Sequence, residues 1–258
     1  MTITLLPGSA TAAVALSGVT KVYGRGRSAV LALDGVSLDV MPGAFVCLVG
    51  ASGCGKSTLL NLVAGLDEPT GGDVRVAGDA RPGLMFQDPA LFPWLTVAAN
   101  VELPLKLRGV PRRERRDRVA ALLDTVHLGE FARRRPHELS GGMRQRVALA
   151  RTLALDTPVL LMDEPFGALD AMTRDLLHDE LERIWRERRL TVVFVTHNVR
   201  EAARLADRIV LLSSRPGRII YETPVDVARP RRIDSPEVSA LAADVTDRLR
   251  AEVGRLGH

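Results

Sequence analysis

The sequence predicts an α/β domain: a mostly parallel sheet, an N-terminal antiparallel β-subdomain, and a helical subdomain inserted into the core. Three observations predict it. Four segments, at 45–49, 159–162, 191–195 and 208–212, are apolar on both faces and rich in β-branched residues, as strands buried between two helical layers are. Helical patterns follow three of them, near 56–65, 170–187 and 199–206, and strand followed by helix, repeated, is the α/β signature. The chain before residue 45 instead alternates and carries Gly and Asp, in AVALSGVTKVYG and AVLALDGVSLDV, which marks antiparallel strands.

The remaining elements come in chain order. Residues 96–135 have helical patterning, broken near Gly109–Pro111 and Leu128–Gly129. Met143, Val147, Ala150 and Ala154 recur at spacings of four, three and four, one face of a helix that opens on Ser-Gly-Gly. A mostly helical insertion over roughly 88–155 is expected. The tail reads as a short strand at 218–222, a Pro/Arg linker, and a helix over about 235–253. These readings divide the chain into a main domain at 12–233 and a helical extension at 234–258.

With 258 residues, 46% of them apolar and only 4% aromatic, the chain can bury one large aliphatic core. No apolar run reaches the roughly 18 residues of a membrane span. The first residues lack a basic n-region, and the two cysteines, Cys47 and Cys54, suit a reducing compartment, so a cytoplasmic protein is expected. Net charge is a mild +4, with basic clusters at 112–118, 133–135 and 229–232. The first cluster interleaves with acids in a helical pattern and fits a solvated face best. An anionic membrane surface comes second. Nucleic acid comes third, because no aromatics are interleaved as stacking platforms.

The segment LVGASGCGKSTLLNLVAG poses a chemical question. Of 35 lysines and arginines only Lys21, Lys56 and Lys106 are lysines, and one of them stands in this glycine-rich turn. Gly50, Ala51, Ser52, Gly53, Cys54, Gly55, Lys56 and Ser57 match G-x-x-x-x-G-K-[ST] between an apolar strand and a helix. Glycines let successive backbone N–H groups turn inward around phosphate oxygens, and a helix beginning near Lys56 and continuing through Thr58 adds its positive end. Lys56 is a compact charge for β- and γ-phosphates, and the Ser57 hydroxyl suits Mg²⁺. The motif points to a nucleoside triphosphate without specifying the reaction.

Other strand ends carry matching chemistry. Asp163 and Glu164 follow the apolar run at 159–162, and in parallel sheets ligands gather at such ends. Asp163 would hold Mg²⁺ through water, and Glu164 would orient and polarise the attacking water. His197 follows TVVFVT and is placed on the γ-phosphate. Gln87 ends a short apolar run in LMFQDP. The basic stretch Gly24–Arg27 reads as a solvated loop. Ser140-Gly141-Gly142 opens a helix and makes a second anion-binding turn. One nucleotide pocket has no evident use for two distant phosphate cradles. A two-part site resolves this: one chain holds the nucleotide through Lys56, and another covers its γ-phosphate with Ser140–Gly142, giving a head-to-tail pair.

At these residues the sequence resembles the ATP-binding cassette (ABC) family over nearly its whole length. Tyr23, the phosphate loop, Gln87, LSGG at 139–142, LLMDEP at 160–165, ALD at 168–170 and His197 fall in the family's order. The resemblance implies a P-loop NTPase core and an ATPase that uses ATP and Mg²⁺. Tyr23 would stack on adenine, Gln87 would sense Mg²⁺ and a membrane partner, and Asp170 would communicate across the dimer. Two function classes remain: the motor of a membrane importer, and an ABC ATPase acting on DNA or ribosomes. The chain has one cassette, and Gln87 to Ser140 leaves room for a compact subdomain but no long coiled coil, which favours the importer. DEPFGALDAMTR and ADRIVLLSSRPGRI look like the nitrate/sulfonate/taurine branch. That branch implies separate permease subunits, a second ATPase subunit, an extracytoplasmic solute-binding protein, a peripheral place on the cytoplasmic membrane face, and no nucleic acid. Leu91, Phe92 and Trp94 are read either as lining a groove for a permease helix or as packing inside the subdomain.

Overall fold

The computed structural model describes residues 12–78, 81–167 and 169–254. The start of the chain, read above for targeting signals, and Ala168 of the ALD string lie outside these residues. Two sheets organise the rest. β1 (Val14–Tyr23), β2 (Val30–Val40) and β4 (Gly71–Val76) form an antiparallel sheet in the order β2-β1-β4. A second sheet runs β5-β6-β7-β3-β8-β9, from β3 (Phe45–Val49), β5 (Gly83–Met85), β6 (Val159–Asp163), β7 (Thr191–Thr196), β8 (Arg208–Leu212) and β9 (Ile219–Pro224). Its first five strands are parallel, and β9 closes the edge antiparallel to β8.

The four doubly apolar segments are neighbours at the centre of this sheet, where both faces are covered. Alternate residues of β3 enter separate cores. Phe45, Cys47 and Val49 join the cluster that includes Met162, Phe194 and Leu211, whereas Val46 and Leu48 pack with Leu161, Val193 and Val210. Phe45 packs edge-on against Trp185, with ring centroids 5.7 Å apart. Each such fully buried side chain contributes about 2 kcal/mol through removal of apolar surface from water.

The second face is covered by α1 (Lys56–Val63) and the antiparallel sheet. The first face is covered by α2 (Val97–Leu107), α3 (Arg112–Thr125), α4 (Gly141–Leu153), α5 (Ala171–Arg188), α6 (Val199–Leu205) and α7 (Pro236–Gly254). Three of these, α2, α3 and α4, fill the interval between β5 and β6. Thr96 caps α2 by accepting from Ala99 N at 3.2 Å. The expected break near Gly109 separates α2 from α3. The last helix, α7, packs on α6 and buries Val238, Ala242 and Val245 in the main core.

Two strands were not assigned from the sequence, although β5 overlaps the short apolar run noted before Gln87. β4 is largely exposed and polar, and β5 has three residues. β9 starts and ends later than the expected 218–222.

Parallel pairing has a direct consequence for chemistry. The carboxyl ends of β3, β5, β6, β7 and β8 all reach the same edge of the sheet, so the residues just past these strands converge there.

Candidate active site

The phosphate loop follows β3 at this edge. Gly55 caps α1 at φ +101°, and a Cβ on it would lie 2.7 Å from Leu33 Cδ2 and 2.9 Å from the Ala32 carbonyl oxygen. Only glycine meets both demands. Cys54 is buried beneath the loop and Ser52, Gly53 and Ser57 are exposed on it. The N–H groups of Lys56, Ser57 and Thr58 belong to the first turn of α1, where helices leave amides free for an anion. Lys56 is 5% exposed. Its ammonium donates to the Gly50 carbonyl at 2.8 Å and the Ala51 carbonyl at 3.0 Å. A buried cation is thus held inside the loop that would receive phosphate.

The two acids after β6 diverge. Burial pushes the Asp163 carboxyl above its ordinary value, the Ser57 side chain and Lys56 pull it back, and Glu164 adds to the rise. Glu164 turns away at φ +43°, the left-handed region, which costs a non-glycine residue about 1–3 kcal/mol. Its N–H donates to Val195 O at 2.9 Å, and Gly167 N–H donates to its carbonyl at 3.2 Å. Its carboxylate accepts from His197 Nδ1 at 2.7 Å. A carboxylate only accepts, so Nδ1 carries the proton and Nε2 is left free. This Glu164–His197 contact joins two residues that sequence reasoning placed separately.

A cleft of about 480 Å³ is lined by Lys56, Ser57, Thr58, Gln87 and Glu164, with Ser52, Gly53 and Gly55. Tyr23, Val30 and Ala32 line it as well. The Tyr23 hydroxyl donates to Asp67 Oδ2 at 2.9 Å, and the Lys21 ammonium stands 4.9 Å from the ring centroid. Lys21 also pairs with Asp67 at 2.6 Å and holds its carboxyl below the ordinary range. The ring is therefore fixed before any ligand arrives. Arg25, in the basic stretch after Tyr23, is exposed and is not a lining residue. Arg215, which sequence reasoning did not single out, is one.

Ser140–Gly142 do not line this cleft. Ser140 caps α4 by accepting from Met143 N at 3.2 Å, and Ser140 and Gly141 are exposed. Further along α4, Gln145 is buried, and its Nε2 donates to the Gln87 carbonyl at 3.0 Å. Arg151 donates to the Pro89 carbonyl at 2.6 Å and the Ala90 carbonyl at 2.8 Å. One helix thus presents the serine–glycine turn and anchors the Gln87 segment. Asp170 is exposed and caps α5 through Thr173 N at 3.0 Å.

The sequence matches the ABC transporter family model over residues 33–167. The chain belongs to the ABC transporter family. The nitrate import ATP-binding protein of Synechocystis is 47% identical over 82% of this chain and 82% of its own length. An aliphatic sulfonates import ATP-binding protein of Mesorhizobium japonicum is 47% identical over 92% of this chain and 88% of its own. A taurine import ATP-binding protein of Burkholderia pseudomallei is 48% identical over 82% and 84%. Among solved structures, a dimeric bacterial ABC transporter cassette superposes with TM-score 0.74 at 37% identity, covering 83% of this chain and all of that one. The same figures hold for a dimeric cassette in a post-hydrolysis state bound to ADP and Pi. This ABC protein is accordingly an ATP-binding ATPase with a P-loop NTPase core, an antiparallel β-subdomain and an inserted helical subdomain.

The donor set fits Mg²⁺, which this family implies. Ser57, Gln87 and Asp163 offer oxygen ligands, the type that hard cations take. Asp163 is a partly buried carboxyl whose raised pKa a cation would offset. Among the described residues no cluster of three His, Cys, Asp or Glu is poised for a metal, so substrate and solvent oxygens would complete the coordination.

Proposed function

We propose that this chain is the ATP-hydrolysing subunit of a bacterial importer for a small solute of the nitrate, sulfonate or taurine kind. The observation that carries this is the 47–48% identity to import subunits for all three, over at least four fifths of the chain. The compact helical subdomain supports import over work on DNA, since the interval between β5 and β6 holds the short helices α2, α3 and α4 and no long coiled coil.

ATP enters the cleft with its base against Tyr23 and its phosphates in the loop of Gly50–Ser57. Lys56 and the first amides of α1 bind the phosphate oxygens. Mg²⁺, held by Ser57, Gln87 and Asp163, would neutralise charge on the β- and γ-phosphates. A second subunit lays its Ser140–Gly142 turn over the γ-phosphate, which completes the site. Glu164, oriented by His197, accepts the proton of the attacking water, and His197 Nε2 faces the γ-phosphoryl charge. Asp170 reports closure across the dimer. Closing moves α4, and Gln145 and Arg151 carry the Gln87 segment with it. Closure requires that ATP bind the closed pair more tightly than the open one.

The Gln87 segment leads to the permease contact. Trp94 is 68% exposed, and Phe92 packs against it in a tilted pair with ring centroids 5.5 Å apart. Leu91 packs on the core. Separate membrane subunits that dock here place the chain at the cytoplasmic face of the membrane, and no described helix is long and apolar enough to cross it. The solute reaches those subunits from an extracytoplasmic binding protein. Co-expression with the permease encoded nearest to it tests this. The wild-type chain is expected to co-purify with the permease and to show solute-stimulated ATP turnover. The Phe92→Ser, Trp94→Ser double variant is expected to lose co-purification and keep nucleotide binding. Loss of nucleotide binding in the double variant would assign both rings to packing instead.

A further inference from the structure

Five parallel strands end at the nucleotide edge, and four of them, β3, β5, β6 and β7, lead into residues that the mechanism uses. The fifth, β8, runs into the turn at 213–218, which carries Arg215. This turn is tightly tied. Ser213 N–H donates to Arg218 O at 2.8 Å, Ser213 Oγ donates to Pro216 O at 2.7 Å, and Arg218 N–H donates to Ser213 Oγ at 2.9 Å. It is also fastened to β2, with Gly217 N–H to Ala32 O at 2.9 Å and Asp34 N–H to Gly217 O at 3.0 Å. Its approach to the phosphate loop is so close that a Cβ on Gly217 would lie 2.2 Å from the Cys54 carbonyl oxygen. Arg215 is thus mounted on a rigid support beside the loop.

The guanidinium reaches Gly53. Its Nε donates to the Gly53 carbonyl at 3.4 Å, and Nη2 lies 3.3 Å from where a Gly53 Cβ would stand. Among the described residues no carboxylate pairs with Arg215. The other cleft charges are engaged: Lys56 with its two carbonyls and Glu164 with His197. Arg215 therefore brings an uncommitted positive charge, with Nη groups free, to the rim of a cleft that takes a polyanion.

Given the ATP site above, on which this rests, we propose that Arg215 is a nucleotide-binding residue that contacts the phosphate chain of ATP beside Gly53. It adds an ionic contact that the glycine-rich motif does not encode. The residue acts on affinity, so its loss raises KM and leaves kcat within about twofold. Because the guanidinium is exposed, the effect is moderate and salt-screened: about three- to tenfold in Kd.

The test is titration of the full chain with a fluorescent ATP analogue, alongside Arg215→Ala, Arg215→Gln, Arg215→Lys and Lys56→Ala, with tripolyphosphate as competitor. Tripolyphosphate lacks base and sugar, so it reads the phosphate contact alone. Expected are matched losses for Ala and Gln, near wild-type binding for Lys, a parallel weakening of tripolyphosphate, and convergence of all variants at high salt. Wild-type affinity in all three Arg215 variants would overturn the proposal. So would retention in the Gln variant alone beside loss in Ala and Lys, which marks a neutral brace on Gly53, or weakening of ATP without weakening of tripolyphosphate. Lys56→Ala separates the two readings: if it binds like wild type, the ATP site itself is misassigned, whereas its loss beside unaffected Arg215 variants removes only this inference.

Discussion

Two turns in this chain are shaped to receive an anion, and their surroundings are opposite. The phosphate loop opens α1 at the end of a fully buried strand, has its lysine enclosed, and lines a cleft with Tyr23, Gln87 and Glu164. The Ser140–Gly142 turn opens α4, exposes Ser140 and Gly141, and lines no part of that cleft. One cradle is enclosed by its own chain, and the other begins on the exposed residues Ser140 and Gly141. The comparison teaches that one chain encloses only one of its two anion turns, which is why the proposed function assigns the exposed turn to the nucleotide of a second subunit. The same helix, α4, carries the exposed turn and is tied to the backbone of the Gln87 segment, so in the proposed cycle one helix would serve both sites.

The two halves separate under mutation, from large effects to small. Glu164→Gln removes the proton acceptor from the enclosed half, and steady-state turnover is expected to fall about 10²- to 10⁴-fold with nucleotide affinity retained. Retained turnover would remove Glu164 from the chemistry. Ser140→Arg puts bulk and charge on the exposed half. Turnover is expected to drop about 100-fold while the separate chain binds a fluorescent ATP analogue as wild type does; loss of that binding would join the two halves in one chain. Tyr23→Ala removes an aromatic ring that lines the cleft and is expected to weaken ATP about tenfold, in line with the cost of losing one stacked base, measured by the same titration.

The smallest effect is on stability. Burial raises the folded-state pKa of Asp163. A carboxyl raised in this way subtracts stability above its unfolded value, and the whole penalty is present once the pH exceeds the folded value. Asp163→Asn is therefore expected to raise the nucleotide-free thermal midpoint slightly at pH 7. The gain should vanish as the pH falls below the ordinary carboxylate range, and the variant should be inactive. A lower midpoint at pH 7 would show that the favourable influence of Ser57 and Lys56 on the ionised carboxylate outweighs burial.

Legibility in the sequence tracks the physics of each element. The central strands were legible because covering both faces of a sheet demands unbroken apolar runs. β4 and β5 were not: one is an exposed strand whose partner, β1, dictates its conformation, and the other is too short to show a period. The phosphate loop was legible because Gly55 and Lys56 have no substitutes there. Glu164 and His197 were each recognisable at a strand end, but their 2.7 Å contact depends on the β6–β7 register. The Gln145 tether to Gln87 spans 58 positions and leaves no local pattern. Arg215 was hidden among many arginines, although the rule that exposes it was at hand: β8 was expected to be parallel, so the residues after it had to reach the same edge.

The shared-site account is tested most directly by mass. Glu164→Gln sized by light scattering is expected to double in mass when ATP is added, to stay monomeric without it, and to lose the doubling when Ser140→Arg is introduced. A monomer at every ATP concentration, with wild-type turnover independent of protein concentration and unaffected by Ser140→Arg, would contradict it.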